Sequence, residues 1–435
     1  MWADSPSLPD GGPWCDGKGS PPGAVRPDMA VTSSPDLDQP QRRRRARPVH
    51  FWLVATVLLL FMAAGSAPSP LYVVYQAEWH FASTTLTAVF AVYAVALLLA
   101  LLTVGSVSDF VGRRPVLLAA LVVQAASMLL FLLADGVPGL VLARIVQGLA
   151  TGAALGTISA ALIDLEPAGQ LGRGALLNSV SPPVGLALGG LGSGLLVQYA
   201  PAPTSLVFAL LAVGFLALAG GVAFLPETVR RRPGALASVA PRMAVPVAGR
   251  RTFWLTAPAI VATWSLGGLY LSLGPSLAAD VLDVDNHLVG GLVVATLNVT
   301  AALTALTARG RAAGSLLRAG CLVLAVGAGL TVASLPLGSV LGFFAGSALA
   351  GVGFGSAFLG AFRILSGLAR PEERAELFAA VYVVSYLAFS VPAVVAGAVA
   401  AQIGLQSTAL GYGAGVVLLA LVVVATTRTP RPAAT

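Results

Sequence analysis

The sequence predicts an all-α polytopic membrane protein, with twelve transmembrane helices in two pseudo-symmetric six-helix bundles. Three observations predict it. Of 435 residues, 57% are hydrophobic and 10% are charged, whereas a soluble domain carries about 25% charged residues. The apolar residues gather in twelve stretches, each near the ~20 residues that cross a bilayer as a helix. The arginines sit in alternate connections between those stretches, the pattern that sets orientation in membrane proteins.

Residues 1–50 are rich in Pro, Gly, Ser and Asp and read as a disordered cytoplasmic tail. The tail ends in a basic cluster, Arg42 to Arg45 and Arg47, that anchors topology. The first six spans are expected over 51–75, 84–104, 115–134, 138–162, 175–198 and 204–225. The second six are expected over 253–278, 288–307, 316–335, 339–365, 376–400 and 407–426. A linker at 226–252 divides them into an N-terminal bundle, 51–225, and a C-terminal bundle, 253–427, followed by a tail at 428–435.

The connections sort by charge. Arg113 and Arg114 lie after span 2, Arg173 after span 4, and Arg230, Arg231, Arg232, Arg242, Arg250 and Arg251 after span 6. Arg309, Arg311 and Arg318 follow span 8, and Arg370 and Arg374 follow span 10. The other connections hold no Lys or Arg, only residues such as Glu78, Asp135, Asp280 and His287. The positive-inside rule then puts both termini in the cytoplasm of a multi-pass protein of the plasma (inner) membrane. The net charge of +7 follows from this arrangement and argues against a nucleic-acid partner. Cys15 and Cys321 form no disulfide framework.

Two stretches carry motifs. The first is Gly105-Ser106-Val107-Ser108-Asp109-Phe110-Val111-Gly112-Arg113-Arg114-Pro115, a charged turn between spans 2 and 3. Its charges belong at a membrane surface, because hydrocarbon costs several kcal/mol for each. The second is Arg144-Ile145-Val146-Gln147-Gly148 inside span 4. Burying Arg144 costs about 3 kcal/mol on insertion scales, so it either serves a polar cavity or snorkels to the surface. Arg144, Gln147 and Thr151 share one helix face, and Gly148, Gly152 and Gly156 form an adjacent stripe suited to close packing.

Both stretches resemble motifs of the major facilitator superfamily of secondary transporters. The resemblance implies six-plus-six helices that rock about a central site. It implies a gating role for Gly105, Asp109, Gly112, Arg113 and Arg114, with Asp109 as a latch on Arg113, on a neighbouring arginine or on a helix N-terminus of the other half. It implies that Arg144 and Gln147 bind substrate or influence coupling. Span 5, Gly185 to Gly194, resembles a degraded Gly-Pro motif of drug/proton antiporters; Gly190 stands where proline is expected, and glycine-lined packing is an equal reading. Leu225-Pro226-Glu227-Thr228 resembles the end of the sixth helix of sugar carriers.

Polar and aromatic residues within the spans are expected to line a cavity: Tyr72, Tyr93, Asn178, Trp264, Tyr270, Asn298, Tyr382 and Tyr386. No Asp or Glu falls mid-span; Glu78, Asp164 and Glu166 are the nearest carboxylates to any proton path. The expected partners are a small-molecule substrate, the lipid bilayer and, in a coupled version, a proton. No cofactor or metal site is expected, the chain carries no enzyme constellation, and a monomer is expected. The favoured function is efflux of drug-like or metabolite compounds. Uptake of a sugar or organic acid, and a sensor or scaffold on the same frame, are the alternatives.

Overall fold

The computed structural model describes residues 48–167, 172–229, 231–235, 239, 243–284, 286–308, 310–368, 370 and 373–427. Helices dominate, because every backbone N–H and C=O in hydrocarbon must be satisfied within its own segment. In the first half these are α1 (Pro48–Trp79), α2 (Ser83–Val104), α3 (Arg113–Leu132), α4 (Val137–Asp164), α5 (Arg173–Tyr199) and α6 (Leu206–Val222). In the second they are α7 (Arg250–Ser272), α8 (His287–Thr307), α9 (Ala313–Ser334), α10 (Val340–Ser366), α11 (Arg374–Ile403) and α12 (Leu405–Thr426). Eleven are long and apolar enough to cross a membrane. The twelfth, α6, has 17 residues and spans about 26 Å, slightly under the ~30 Å of hydrocarbon.

Helices α1 and α7 differ from the sequence expectation at both ends. Helix α1 begins at Pro48, inside the expected tail, and runs on to Trp79 with a break at Ala67. The break has a cause: Pro68 and Pro70 lack the N–H that would bond the carbonyls of Ala64 and Ser66. Helix α7 starts at Arg250, inside the expected linker, and stops at Ser272. A short turn and a π-helical turn over Leu277–Val281 replace its expected end. The rest of the expected tails, residues 1–47 and 428–435, lies outside the described residues.

Each half has its own apolar core. Helices α3 and α6 flank the first half, and α9 and α12 the second. The halves meet chiefly along two pairs, α5 with α8 and α2 with α11. Glycine permits both approaches. A Cβ on Gly291 of α8 would lie 2.5 Å from the Gly190 carbonyl of α5, and one on Gly397 of α11 would lie 2.8 Å from the Ser83 carbonyl of α2. The glycine run of α5 is thus packing on two faces, since Gly185 also lies against Leu59 and Met62 of α1.

These contacts gather toward the arginine-free end. Among the described residues, three side-chain hydrogen bonds cross between the halves there. Thr84 donates to the Gly397 carbonyl at 3.2 Å, Gln198 accepts from the His287 N–H at 2.9 Å, and Ser276 donates to Gln76 at 3.4 Å.

Candidate functional site

At the arginine-rich end, the 2–3 connection makes one short helical turn, Ser108–Val111, and reverses at Gly112. Gly112 has φ +110, and a Cβ there would lie 2.5 Å from a Glu227 carboxylate oxygen. The close approach explains the glycine. Glu227 accepts from the N–H groups of Arg113 (2.8 Å) and Arg114 (3.1 Å). It therefore caps the start of α3, where the helix leaves unpaired donors and a partial positive charge.

The Arg113 guanidinium pairs with Asp109, donates to Ser108 at 2.7 Å and meets Asp164 at 3.3 Å. Thr228 donates to the same Asp164 oxygen at 3.1 Å. All these partners belong to the first half or its exit. Of the three expected partners for Asp109, the one it meets among the described residues is Arg113, four residues away in its own loop. Gly105 serves a different purpose: its carbonyl lies 2.9 Å from where a Cβ on Gly156 would be. Gly148 and Gly156 press α4 against α2 in this way, as the small-residue stripe implied. The Arg114 side chain is exposed.

Deeper in the first half lies a buried cation. Arg144 is 0% exposed, so its side chain does not snorkel to the surface. Its Nε donates to the Tyr72 hydroxyl at 2.8 Å, and its Nη1 to the Gln147 Oε1 at 2.8 Å and the Gly65 carbonyl at 3.2 Å. The guanidinium carbon sits 5.4, 5.1 and 5.8 Å from the ring centres of Tyr72, Tyr93 and Phe131, within cation–π range. Among the described residues it forms no ion pair.

Gln147 Nε2 donates to the Ala64 carbonyl at 2.8 Å. That carbonyl is one that Pro68 leaves without an N–H. Arg144 bonds the next carbonyl along. The two motif residues of α4 thus brace the break in α1, a role the sequence reading did not assign.

A second group forms where the halves touch. Tyr93 and Leu97 of α2 pack with Tyr386 of α11, against Trp264 of α7 and Tyr382 and Phe389 of α11. The Trp264 ring centre lies 5.1 Å from Tyr386, 5.7 Å from Phe358 and 5.8 Å from Phe389. Phe389 in turn meets Phe90 of the first half at 4.9 Å. Trp264 Nε1 is buried without a hydrogen-bond partner, and so is Ser385 Oγ. A buried, unmade hydrogen bond costs about 1–3 kcal/mol, which a guest offering an acceptor would recover.

The model of the Major Facilitator Superfamily matches residues 54–336. This chain belongs to that superfamily. It is a multi-pass membrane transporter. No curated protein matches it by sequence. Among solved structures, the human organic anion transporter MFSD10 (TETRAN) is 18% identical, with a TM-score of 0.63 over 88% of this chain and 99% of that one. A mutant of the nucleoside transporter NupG is 14% identical, with a TM-score of 0.66 over 87% and 100%. A bacterial homolog of the human lysosomal transporter Spinster, inward-facing and unoccupied, is 12% identical, with a TM-score of 0.71 over 90% and 100%. At these identities the likeness shows the fold alone.

The transporter brings together some of the expected residues and separates others. Arg144, Gln147 and Tyr72 form one knot; Trp264, Tyr382 and Tyr386 form the second, with Tyr93 between them. Tyr270 is elsewhere, its hydroxyl held by Ser347 at 2.6 Å inside the second half. Asn178 donates to the Ser159 carbonyl at 3.3 Å, and Asn298 to its own helix at Val294, 2.9 Å away. Glu166 accepts from the Gly174 N–H at 3.0 Å. Among the described residues no three His, Cys, Asp or Glu side chains converge as a metal site. The sequence reading passed over Phe90, Phe358 and Phe389. For Phe358, its four-residue spacing from Phe354 and Phe362 was the available signal.

Proposed function

We propose that this transporter exports a small amphipathic compound, drug-like or metabolic, by alternating access between its two six-helix halves. The observation that carries the reading is the seam of Tyr93, Trp264 and Tyr386. It draws on both halves, lies about midway along α2, α7 and α11, and contains an indole N–H without a partner. An apolar, ring-rich seam with few polar groups suits an amphipathic guest better than a sugar, which needs many hydrogen bonds.

The state of the molecule supports the same reading. The halves join at the arginine-free end, while at the arginine-rich end each ion pair among the described residues stays within one half, Arg113 with Asp109 and Asp164 in the first and Arg370 with Glu373 in the second. With the arginine-rich face in the cytoplasm, this is an inward-facing arrangement, able to load from inside. Both termini are then cytoplasmic, in the plasma (inner) membrane, and the unit is a monomer. In the opposite state, Asp109 and Arg113 form the latch that meets the second half. The central seam contains no carboxylate, so we assign it no proton-carrying role. Coupling to protons would run through Glu78, Asp164 or Glu166.

Inverted membrane vesicles test the direction. They should accumulate an amphipathic dye only when the transporter is present, and right-side-out vesicles should not. Accumulation only in right-side-out vesicles would overturn export. An imposed pH gradient in the same vesicles reads proton coupling.

A further inference from the structure

Two helices of the second half carry aromatic rings at four-residue spacing. Helix α10 has Phe354, Phe358 and Phe362; helix α11 has Phe378, Tyr382 and Tyr386. At about 100° per residue, each set keeps to one helix face over about 12 Å. Those faces turn away from lipid. The large apolar residues that α10 exposes are Leu349 and, near its start, Leu341, about 180° and 100° from the central Phe358. Those that α11 exposes midway are Leu387, Val391 and Val395, about 180° from its rings.

The rings touch in sequence. Trp264 meets Phe358 at 5.7 Å, Phe358 meets Phe362 at 6.1 Å, and Phe362 stacks on Phe378 at 4.9 Å and 9°. Phe362 lies near the end of α10 and Phe378 near the start of α11, both at the arginine-rich end. The chain of rings therefore runs from the central seam to that mouth. Most of these rings are partly exposed. The facing surface of the first half is mainly aliphatic, with Leu98, Leu101 and Leu155 beside Tyr93. Behind Tyr93 lies the Arg144 cation, its guanidinium carbon 5.1 Å from the tyrosine ring centre.

Resting on the transport reading above, we infer that this stripe selects planar aromatic substrates that carry no positive charge and passes them ring by ring between mouth and centre. Each stacked pair favours a flat π-system over a saturated body of the same size by about two- to tenfold. Arg144, which pairs with no carboxylate among the described residues, sets the charge preference against cations.

The test titrates purified transporter in nanodiscs with naphthoate, its saturated analogue decahydronaphthoate, and naphthylmethyl-trimethylammonium. Naphthoate should bind about tenfold tighter than decahydronaphthoate, with the cation weakest. The double variant Phe358→Leu/Phe362→Leu should lose about tenfold for naphthoate and stay within about twofold for decahydronaphthoate, whose binding also reports folding. Tyr382→Leu repeats the comparison at a single ring. Equal binding of the two acids, tightest binding of the cation, or no binding of any probe at about 1 mM overturns the inference. Selective binding of naphthoate without uptake into proteoliposomes overturns the transport reading and spares the stripe. Transport of a compound with no preference for rings does the reverse.

Discussion

Replacing Gln147 with leucine separates a brace from a ligand. The side chain makes two buried hydrogen bonds, to the Ala64 carbonyl and from Arg144, both at 2.8 Å. On scales from soluble proteins, an orphaned carbonyl costs about 1–3 kcal/mol and a lost bond to a charged group about 1.5–3. Within membranes the unfolded state also finds partners, and measured bonds average ~0.6 and reach ~1.7 kcal/mol each. The membrane scale governs, because the reference state stays in the bilayer. Gln147→Leu should therefore cost about 1–3 kcal/mol, read by reversible unfolding in mixed micelles containing SDS. Pro68→Ala supplies the N–H that Ala64 lacks and lets α1 close on itself. In that background Gln147→Leu should cost about 1 kcal/mol less. Additive costs, within about 0.5 kcal/mol, would refute the brace. So would an unchanged stability with weakened substrate affinity, which is the signature of a ligand contact.

Arg144→Lys keeps the charge but loses the planar fork that reaches Tyr72, Gln147 and Gly65 together; it should lose about 2–4 kcal/mol, and transport in proteoliposomes should fall with it. Gly291→Val places a Cβ 2.5 Å from the Gly190 carbonyl and should pry the arginine-free seam open. Labelling of Ser276→Cys by an impermeant maleimide should then rise by roughly tenfold, and unchanged labelling would count against the seam as a closed gate. Asp109→Asn leaves Arg113 with Asp164 and Ser108, so stability should change by less than about 1 kcal/mol while transport drops; full transport would remove the latch.

The sequence by itself determined the class of protein, the polytopic pattern of spans and their alternating charge. Those follow from transfer free energies that add residue by residue, so a stretch such as Ser83–Val104 declares itself without its neighbours. Motif positions were legible for the same reason: Arg144 stands out because a charge in an apolar run is costly wherever the helix packs. Only the tertiary structure decided what each residue meets. Tyr72 and Arg144 lie 72 positions apart, and nothing local says that α4 repairs the break that two prolines make in α1. Tyr270 reads like Tyr386 on paper, yet the first is spent on Ser347 and the second reaches the seam. Hydropathy is a sum over single residues, whereas a site is a set of pairs, and pairs exist only once helices have chosen their faces and depth.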